Sequence, residues 1–83
     1  MTDNTKYLKM VERVIRGAAR RVGDADEFDL AHFVSIRSLI EEQIRVAVEL
    51  QRRDGKSWSD IGSALGVSKQ AAMKRFKTHQ TIE

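Results

Sequence analysis

Residues 57–77 constrain the fold of this chain most, because they contain start and stop signals for two short helices. Ser57 is a preferred N-cap residue, and Asp60 three positions later completes a near capping box. Gly66 marks the point where the chain must leave the first helix in a left-handed conformation, which glycine adopts without a Cβ clash. Ser68 then caps a second helix. The stretch therefore predicts two helices joined by a tight turn.

The apolar residues of this stretch predict how the two helices pack. Ile61 and Leu65, four positions apart, form an apolar stripe on one face of the first helix. Gly62 costs that helix about 1 kcal/mol relative to alanine, so we expect it where the two backbones approach closely. Trp58 begins the first helix, and we expect it to pack rather than to face a sugar-phosphate. The predicted inward positions that follow are Val67, Ala72 and Phe76.

A longer pattern within this stretch is Ile61-Gly62-x-x-Leu65-Gly66-Val67-Ser68-x-Gln70-Ala71-Ala72-x-x-Arg75-Phe76. It resembles the helix-turn-helix of small DNA-binding proteins from actinobacteria and their phages. It is also similar in outline to the last DNA-binding region of sigma factors. The resemblance covers about 21 of the 83 residues. It implies that the second helix lies in the major groove of DNA while the first helix crosses the backbone.

The second helix, residues 68–77, has a basic outward face. After Val67 the sequence contains four Lys or Arg residues, and its only acid there is the terminal glutamate. Gln70, near the helix N-terminus, can pair bidentately with N6 and N7 of adenine. Lys69 can reach a guanine or a phosphate, and Ala71 is small enough to admit a thymine methyl group. This face is therefore the predicted reader of DNA sequence.

The candidate DNA contacts extend over both helix starts and the length of the basic face. The side chains suited to phosphates are Lys74, Arg75 and Lys77. The full set of candidate contacts is Ser57, Ser68, Lys69, Gln70, Ala71, Met73, Lys74, Arg75 and Lys77. The alternative interpretation of the same residues is a basic, solvated helix at the edge of the domain.

Length and composition predict one small domain over residues 1–83. The chain has no cysteine, which excludes disulfides and thiolate metal sites. No run approaches the roughly 18 to 20 apolar residues that span a bilayer, and no signal-type segment begins the chain. We therefore expect a soluble, cytoplasmic protein associated with the nucleoid, without a membrane contact.

The positive charge is concentrated where the helix-turn-helix is predicted. Residues 52–83 contain seven Lys or Arg and three acids, a net charge of +4. Residues 1–51 contain eight Lys or Arg and nine acids, a net charge of −1. A local excess of cations of this kind is what a DNA-binding surface requires.

Two further helices are predicted before this stretch, over 6–22 and 28–53. The first has apolar residues at helical spacing and a basic stripe on another face, which is either solvated or in contact with flanking phosphates. That stripe is Lys9, Arg13, Arg16 and Arg20. The helix predicted over 28–53 starts near Asp26 or Asp29, which can cap it. A break in this helix at 34–38 is left as an alternative.

The long helix is apolar on more than one side. One stripe is Phe33, Ile36, Ile40, Ile44 and Ala47, and away from it lie Leu30, Val34, Leu39, Val46 and Leu50. We expect one side to cover the first helix and another to cover the helix-turn-helix. The remaining apolar surface would be an interface, which predicts a homodimer.

No catalytic arrangement is present in the sequence. His32 and His79 are 47 positions apart, and no spacing suits zinc. Glu41 and Glu42 are adjacent on a helix and point in different directions. No glycine-rich loop could hold a nucleotide. We therefore expect neither an enzyme nor a cofactor, a metal or a small-molecule ligand.

Together these features predict an all-α domain of four helices that binds specific sequences of double-stranded DNA. The function expected is that of a small transcriptional regulator of bacterial, phage or plasmid type. Two copies would bind as a homodimer, or side by side on direct repeats. The alternative is a protein-interaction module that binds RNA polymerase, a sigma factor or another regulator. Residues 24–42, with six acids and only Arg37 opposing them, would offer an acidic surface for such a partner.

Overall fold

The computed structural model describes residues 3–77, and in that range the chain is all-α without a strand. The predicted fold class is therefore confirmed. The helices are α1 (Asp3–Gly23), α2 (Glu27–Arg53), α3 (Trp58–Leu65) and α4 (Lys69–Ala72), and α4 continues directly as a π-helical turn, Met73–Lys77. Within the described range, no helix is both long and apolar enough to cross a membrane. His79 and the terminal glutamate lie outside the described residues.

The first two helices are slightly longer than their predicted ranges. α1 begins at Asp3 rather than at residue 6, and it includes Gly23 as its last residue. α2 begins at Glu27, because Asp26 caps it: the Asp26 Oδ1 atom accepts a hydrogen bond from the Asp29 amide at 3.0 Å. α2 is continuous through the 34–38 segment, so the break left open there does not occur.

The chain divides into two compact units between Leu39 and Ile40. The first unit contains α1 and the start of α2, and the second contains the rest of α2, α3, α4 and the π turn. One hydrophobic core is present among the described residues, and it lies within the second unit. The core consists of Val48, Trp58, Ile61, Ala72 and Phe76, with Met73 partly buried against it. The prediction of a single domain over 1–83 stays a prediction.

The first unit has no fully buried residue in its described part, 3–39. Its most protected apolar side chains are only half-buried, and they are Val11, Ala18, Val22, Phe33 and Ile36. The end of α1 and the start of α2 line an open cleft of about 500 Å³, with Leu30 and Phe33 on one wall and Ala19 and Val22 on the other. Its large exposed apolar residues are Tyr7, Leu8, Met10, Val14, Ile15, Phe28, Leu30, Val34 and Leu39.

In the second unit, the residue that α2 contributes to the core, Val48, is not one of the predicted stripe but lies beside it. Val48 is its single buried residue among those described, whereas Ile40, Ile44, Val46 and Leu50 are exposed. The predicted stripe still meets the helix-turn-helix in part, because Ile44 and Ala47 line a groove beside α3 together with Ile61 and Leu65. The face that carries Val48 also includes Glu41, Arg45 and Arg52, at spacings of three and four residues.

Long charged side chains explain how a mostly polar face of α2 can cover apolar surface. The guanidinium of Arg52 lies over the Trp58 ring, 4.9 Å from Cζ to the ring centroid. Its Nη1 atom donates a hydrogen bond to the Lys56 carbonyl at 2.9 Å, which fixes the turn between α2 and α3. Such side chains pack their aliphatic stems and keep the charged group at the surface. Trp58 is buried, so the prediction that it packs is confirmed.

Candidate nucleic-acid interface

The start of α3 is fixed by the capping box that the sequence predicts. The Ser57 hydroxyl accepts a hydrogen bond from the Asp60 amide at 3.0 Å. In return, the Asp60 carboxylate accepts one from the Ser57 amide at 3.3 Å. Two amides that have no partner within the helix are thereby satisfied. Trp58 and Ile61 follow at once and are buried, so the cap positions the two residues that join α3 to the core.

The turn after α3 is a Schellman motif built on Gly66. Gly66 has φ 76° and ψ 27°, which confirms the left-handed conformation. Its amide donates to the Ser63 carbonyl at 3.2 Å, and the Val67 amide donates to the Gly62 carbonyl at 2.9 Å. A non-glycine residue at Gly66 would be strained by the left-handed backbone conformation. Crowding would not add to this strain, since a Cβ atom there meets nothing within 4 Å.

Gly62 provides the close approach that the sequence predicts. A Cβ atom at this position would lie 2.9 Å from the Val67 carbonyl oxygen and 3.0 Å from the Ser68 carbonyl oxygen. Both are backbone atoms, so a rotamer change cannot relieve the contact. The angle between α3 and α4 therefore depends on the absence of a side chain at Gly62.

The second helix begins as predicted and ends differently. The Ser68 hydroxyl accepts a hydrogen bond from the Ala71 amide at 3.0 Å, which confirms its N-cap role. The α-helical winding stops at Ala72, and residues Met73–Lys77 form a π turn. Single π turns of this kind insert a wider loop of backbone into a helix and occur often at functional sites. The helix predicted over 68–77 is thus present, as an α-helical first part and a π-helical second part.

The inward positions of this helix are partly as predicted. Ala72 and Phe76 are buried, at 0% and 4% exposure. Val67 is 40% exposed, so its predicted inward position is wrong. Its backbone rather than its side chain faces α3, since its amide and its carbonyl both lie against Gly62. Leu65 is likewise exposed, although it shares the helix with buried Ile61.

Eight of the nine candidate DNA contacts are exposed. The exposed residues are Ser57, Ser68, Lys69, Gln70, Ala71, Lys74, Arg75 and Lys77. Met73 is the exception. It is half-buried and packs against the core, because it adjoins Ala72 and lies three positions before Phe76. Its predicted outward position is therefore wrong.

Arg75 has a partner that the sequence did not predict. Its Nη2 atom lies 3.8 Å from Oε1 of Glu41 on α2, and its guanidinium lies 5.3 Å from the centroid of the Phe76 ring. Both side chains of the ion pair are more than half exposed, so the pair contributes little to stability. It does hold the guanidinium beside α2. A phosphate that binds Arg75 must compete with Glu41.

An apolar groove of about 200 Å³ runs beside α3. It is lined by Ile44, Ala47, Val48, Gln51, Ile61, Ala64 and Leu65. Five of these residues are exposed, so the groove is open to solvent, and it contains part of the predicted apolar stripe of each helix: Ile44 and Ala47 from α2, Ile61 and Leu65 from α3. Within residues 3–77, no group of three or more His, Asp or Glu side chains could hold a metal ion.

Comparison with known proteins gives relatives of undescribed function. No family model and no solved structure matches the chain. A segment of 59 residues, 71% of the chain, is 41% identical to an uncharacterized protein of Mycobacterium bovis. The same identity and length hold for uncharacterized proteins of two Mycobacterium tuberculosis strains. The chain spans about 18% of the length of these relatives.

Proposed function

We propose that the chain binds specific sequences of double-stranded DNA, with α4 and its π turn in the major groove. The observation that supports this most is the division of residues 69–77 into two faces. Ala72 and Phe76 are buried in the core, whereas four cationic side chains and Gln70 are exposed. A stable helix end needs no such concentration of positive charge, but a duplex groove lined by phosphates does.

The exposed residues divide into base readers and phosphate contacts. Lys69, Gln70 and Ala71 occupy the first turn of α4, and in helix-turn-helix proteins the N-terminal residues of the second helix contact base edges. A glutamine there can accept a hydrogen bond from N6 of adenine and donate one to N7 at the same time. The three cations further along are suited to phosphates, which fix orientation without reading sequence. They are Lys74, Arg75 and Lys77.

The two caps can support DNA contact as well as the fold. Ser57 and Ser68 each accept a hydrogen bond from the amide three positions later, and each hydroxyl retains one proton to donate. Both are exposed, so that proton can reach a phosphate oxygen. The Ser68 hydrogen bond, together with those of the Gly66 and Val67 amides, also fixes the corner between α3 and α4. A rigid reader loses little entropy when it binds.

We further propose that two copies bind each target. One recognition helix contacts only a few base pairs, so tight and specific binding calls for two of them about 34 Å apart on successive major grooves. A homodimer on an inverted repeat satisfies this spacing, and monomers side by side on a direct repeat form the competing arrangement. Regulation of transcription and association with the nucleoid follow from such binding.

Charge reversal on the recognition helix tests DNA binding directly. The double substitution Lys69→Glu and Lys74→Glu should abolish retention of duplex DNA at low salt, because it turns two groove-facing cations into anions. The matched control is Arg53→Glu with Lys56→Glu, the same charge change on exposed residues of the second unit outside the candidate contacts. Equal losses for both pairs would indicate nonspecific attraction by the whole chain and would contradict a helix-turn-helix reader.

The apolar groove beside α3 favours a second candidate, a protein-interaction module. Its volume of about 200 Å³ would accept one or two apolar side chains of a polymerase subunit, a sigma factor or another regulator. In that case the Lys69 and Lys74 variant keeps its partner, whereas Leu65→Glu at the rim of the groove loses it. The DNA-binding function is favoured if wild type and Leu65→Glu both retain DNA and the charge-reversed variant does not.

A further inference from the structure

We propose that the first unit, residues 3–39, is a self-association surface on which α1 of one copy packs against the start of α2 of a second copy. The pairing of two copies deepens the proposed function, since it names the surface that would join two recognition helices. It can be tested without DNA. The failure of either proposal therefore leaves the other standing.

The first reason is that this unit lacks a core of its own. None of its described residues is buried, although it contains nine large exposed apolar side chains. Tyr7, Val14 and Phe28 are 61%, 63% and 75% exposed. Between its helices lies the open cleft of about 500 Å³, lined by Val22, Leu30 and other residues. Nine large apolar side chains left exposed on two helices favour an interface, because extended apolar patches are uncommon on monomers.

The second reason is that the two helices of the unit are complementary in charge. Residues 3–23 contain six Lys or Arg and two acids, a net charge of +4. Residues 24–39 contain four acids and one arginine, a net charge of −3. In the described part of this unit, no cation of α1 forms an ion pair with these acids. Asp26 caps α2, whereas the other three acids, Asp24, Glu27 and Asp29, are exposed to another molecule.

A second copy satisfies both features at once. In a twofold pair the same patch meets itself, so α1 of each copy meets the acidic start of α2 of the other, twice. The apolar residues of both units would then face one another and close as a four-helix arrangement. A partner of uniform charge would match only one of the two helices. The self-complementary pattern thus selects this chain as its own partner.

A matched pair of substitutions on α2 tests where the copies meet. Leu30 and Leu50 are 52% and 51% exposed on the same helix, one in each unit. In light scattering of the full chain without DNA, we expect wild type and Leu50→Glu to have twice the chain mass of 9.5 kDa. Leu30→Glu should have the single mass. A monomeric wild type, or a loss of the dimer with Leu50→Glu but not with Leu30→Glu, overturns the proposal.

A charge exchange tests the same pairing independently, in case Leu30→Glu unfolds the first unit. One variant carries Arg16→Glu with Arg20→Glu, and a second carries Glu27→Lys with Asp29→Lys. Each alone should be monomeric, because α1 and α2 then have like charges where the copies meet. An equimolar mixture should recover the double mass, since both contacts of the mixed pair are again complementary. A mixture that stays monomeric overturns the pairing of α1 with α2.

Discussion

The two units of this chain contain similar numbers of apolar residues and use them in opposite ways. Residues 40–77 bury five apolar side chains in a core and leave six large ones exposed beside a charged surface. The described residues of the first unit, 3–39, bury none and expose nine large apolar side chains. The difference comes from geometry, because two helices joined by a short turn can shield only one side of each other. In the second unit, α3 and α4 meet at a corner and enclose the end of α2.

This contrast indicates which part of the chain can act alone. A surface that must fit a DNA groove needs side chains held by an interior, and the second unit has one. A surface made of apolar side chains without an interior gains stability only from association. We therefore propose that residues 57–77 read DNA and that residues 3–39 associate.

The largest expected effect is loss of a core aromatic residue from the second unit. Phe76→Ala should lower the free energy of unfolding by about 3–5 kcal/mol, because Phe76 is 4% exposed. Phe28→Ala, on a side chain that is 75% exposed, should change it little where the chain is monomeric. Urea denaturation followed by circular dichroism measures both. Similar losses would mean that the two units are not different in packing.

Glycine-to-alanine substitutions should change the free energy of unfolding in opposite directions in the two units. Gly62→Ala adds a Cβ atom 2.9 Å from a backbone oxygen and should destabilise the chain by about 1–3 kcal/mol. Gly17→Ala meets nothing within 4 Å in the middle of α1 and should stabilise it by about 0.5–1 kcal/mol. Thermal unfolding of the two variants decides the point. Stabilisation by Gly62→Ala would show that the α3–α4 corner can open freely.

Within the second unit, exposed contact residues should affect DNA binding without affecting stability. Gln70→Ala should weaken binding to the preferred sequence by about 1–3 kcal/mol and relax preference at one base pair. Lys77→Ala, its control, should weaken all sequences alike and reduce the salt dependence by about one unit of slope. Fluorescence anisotropy at several salt concentrations measures both. An unchanged base preference for Gln70→Ala would remove this side chain from the readout.

The smallest effect distinguishes a serine that caps a helix from one that does not. Ser57→Ala removes the acceptor for the Asp60 amide and should cost about 1 kcal/mol. The Ser35 hydroxyl donates to the His32 carbonyl at 2.6 Å inside α2, so Ser35→Ala should be neutral or stabilising by about 0.5 kcal/mol. Melting temperatures compare the two. A larger loss from Ser35→Ala than from Ser57→Ala would reverse the assignment of roles.

Local features of the fold could be predicted because they depend on residues a few positions apart. The capping box at Ser57, the left-handed Gly66, the close approach at Gly62 and the cap at Ser68 all belong to this kind. The burial of Ala72 and Phe76 follows from their spacing of four. Each of these predictions is confirmed by the structure.

Features that depend on contacts between distant segments could not be predicted. Val48 has less obvious apolar periodicity than Ile40 or Ile44, yet it alone among the described residues of α2 is buried. The stacking of Arg52 on Trp58 is the exception: it joins residues only six positions apart across a short turn, and this spacing was a signal that went unused. The π turn and the half-burial of Met73 have no such signal in the sequence.

The most direct test of DNA recognition is selection of bound sequences from a pool of random duplexes by the wild-type chain at low salt. We expect enrichment of a short motif, present twice with inverted orientation and centres about one helical turn apart. Retention without an enriched motif would reduce the helix-turn-helix to a nonspecific basic surface. A purified, folded chain that retains no duplex at all would contradict the assignment of residues 57–77 to DNA.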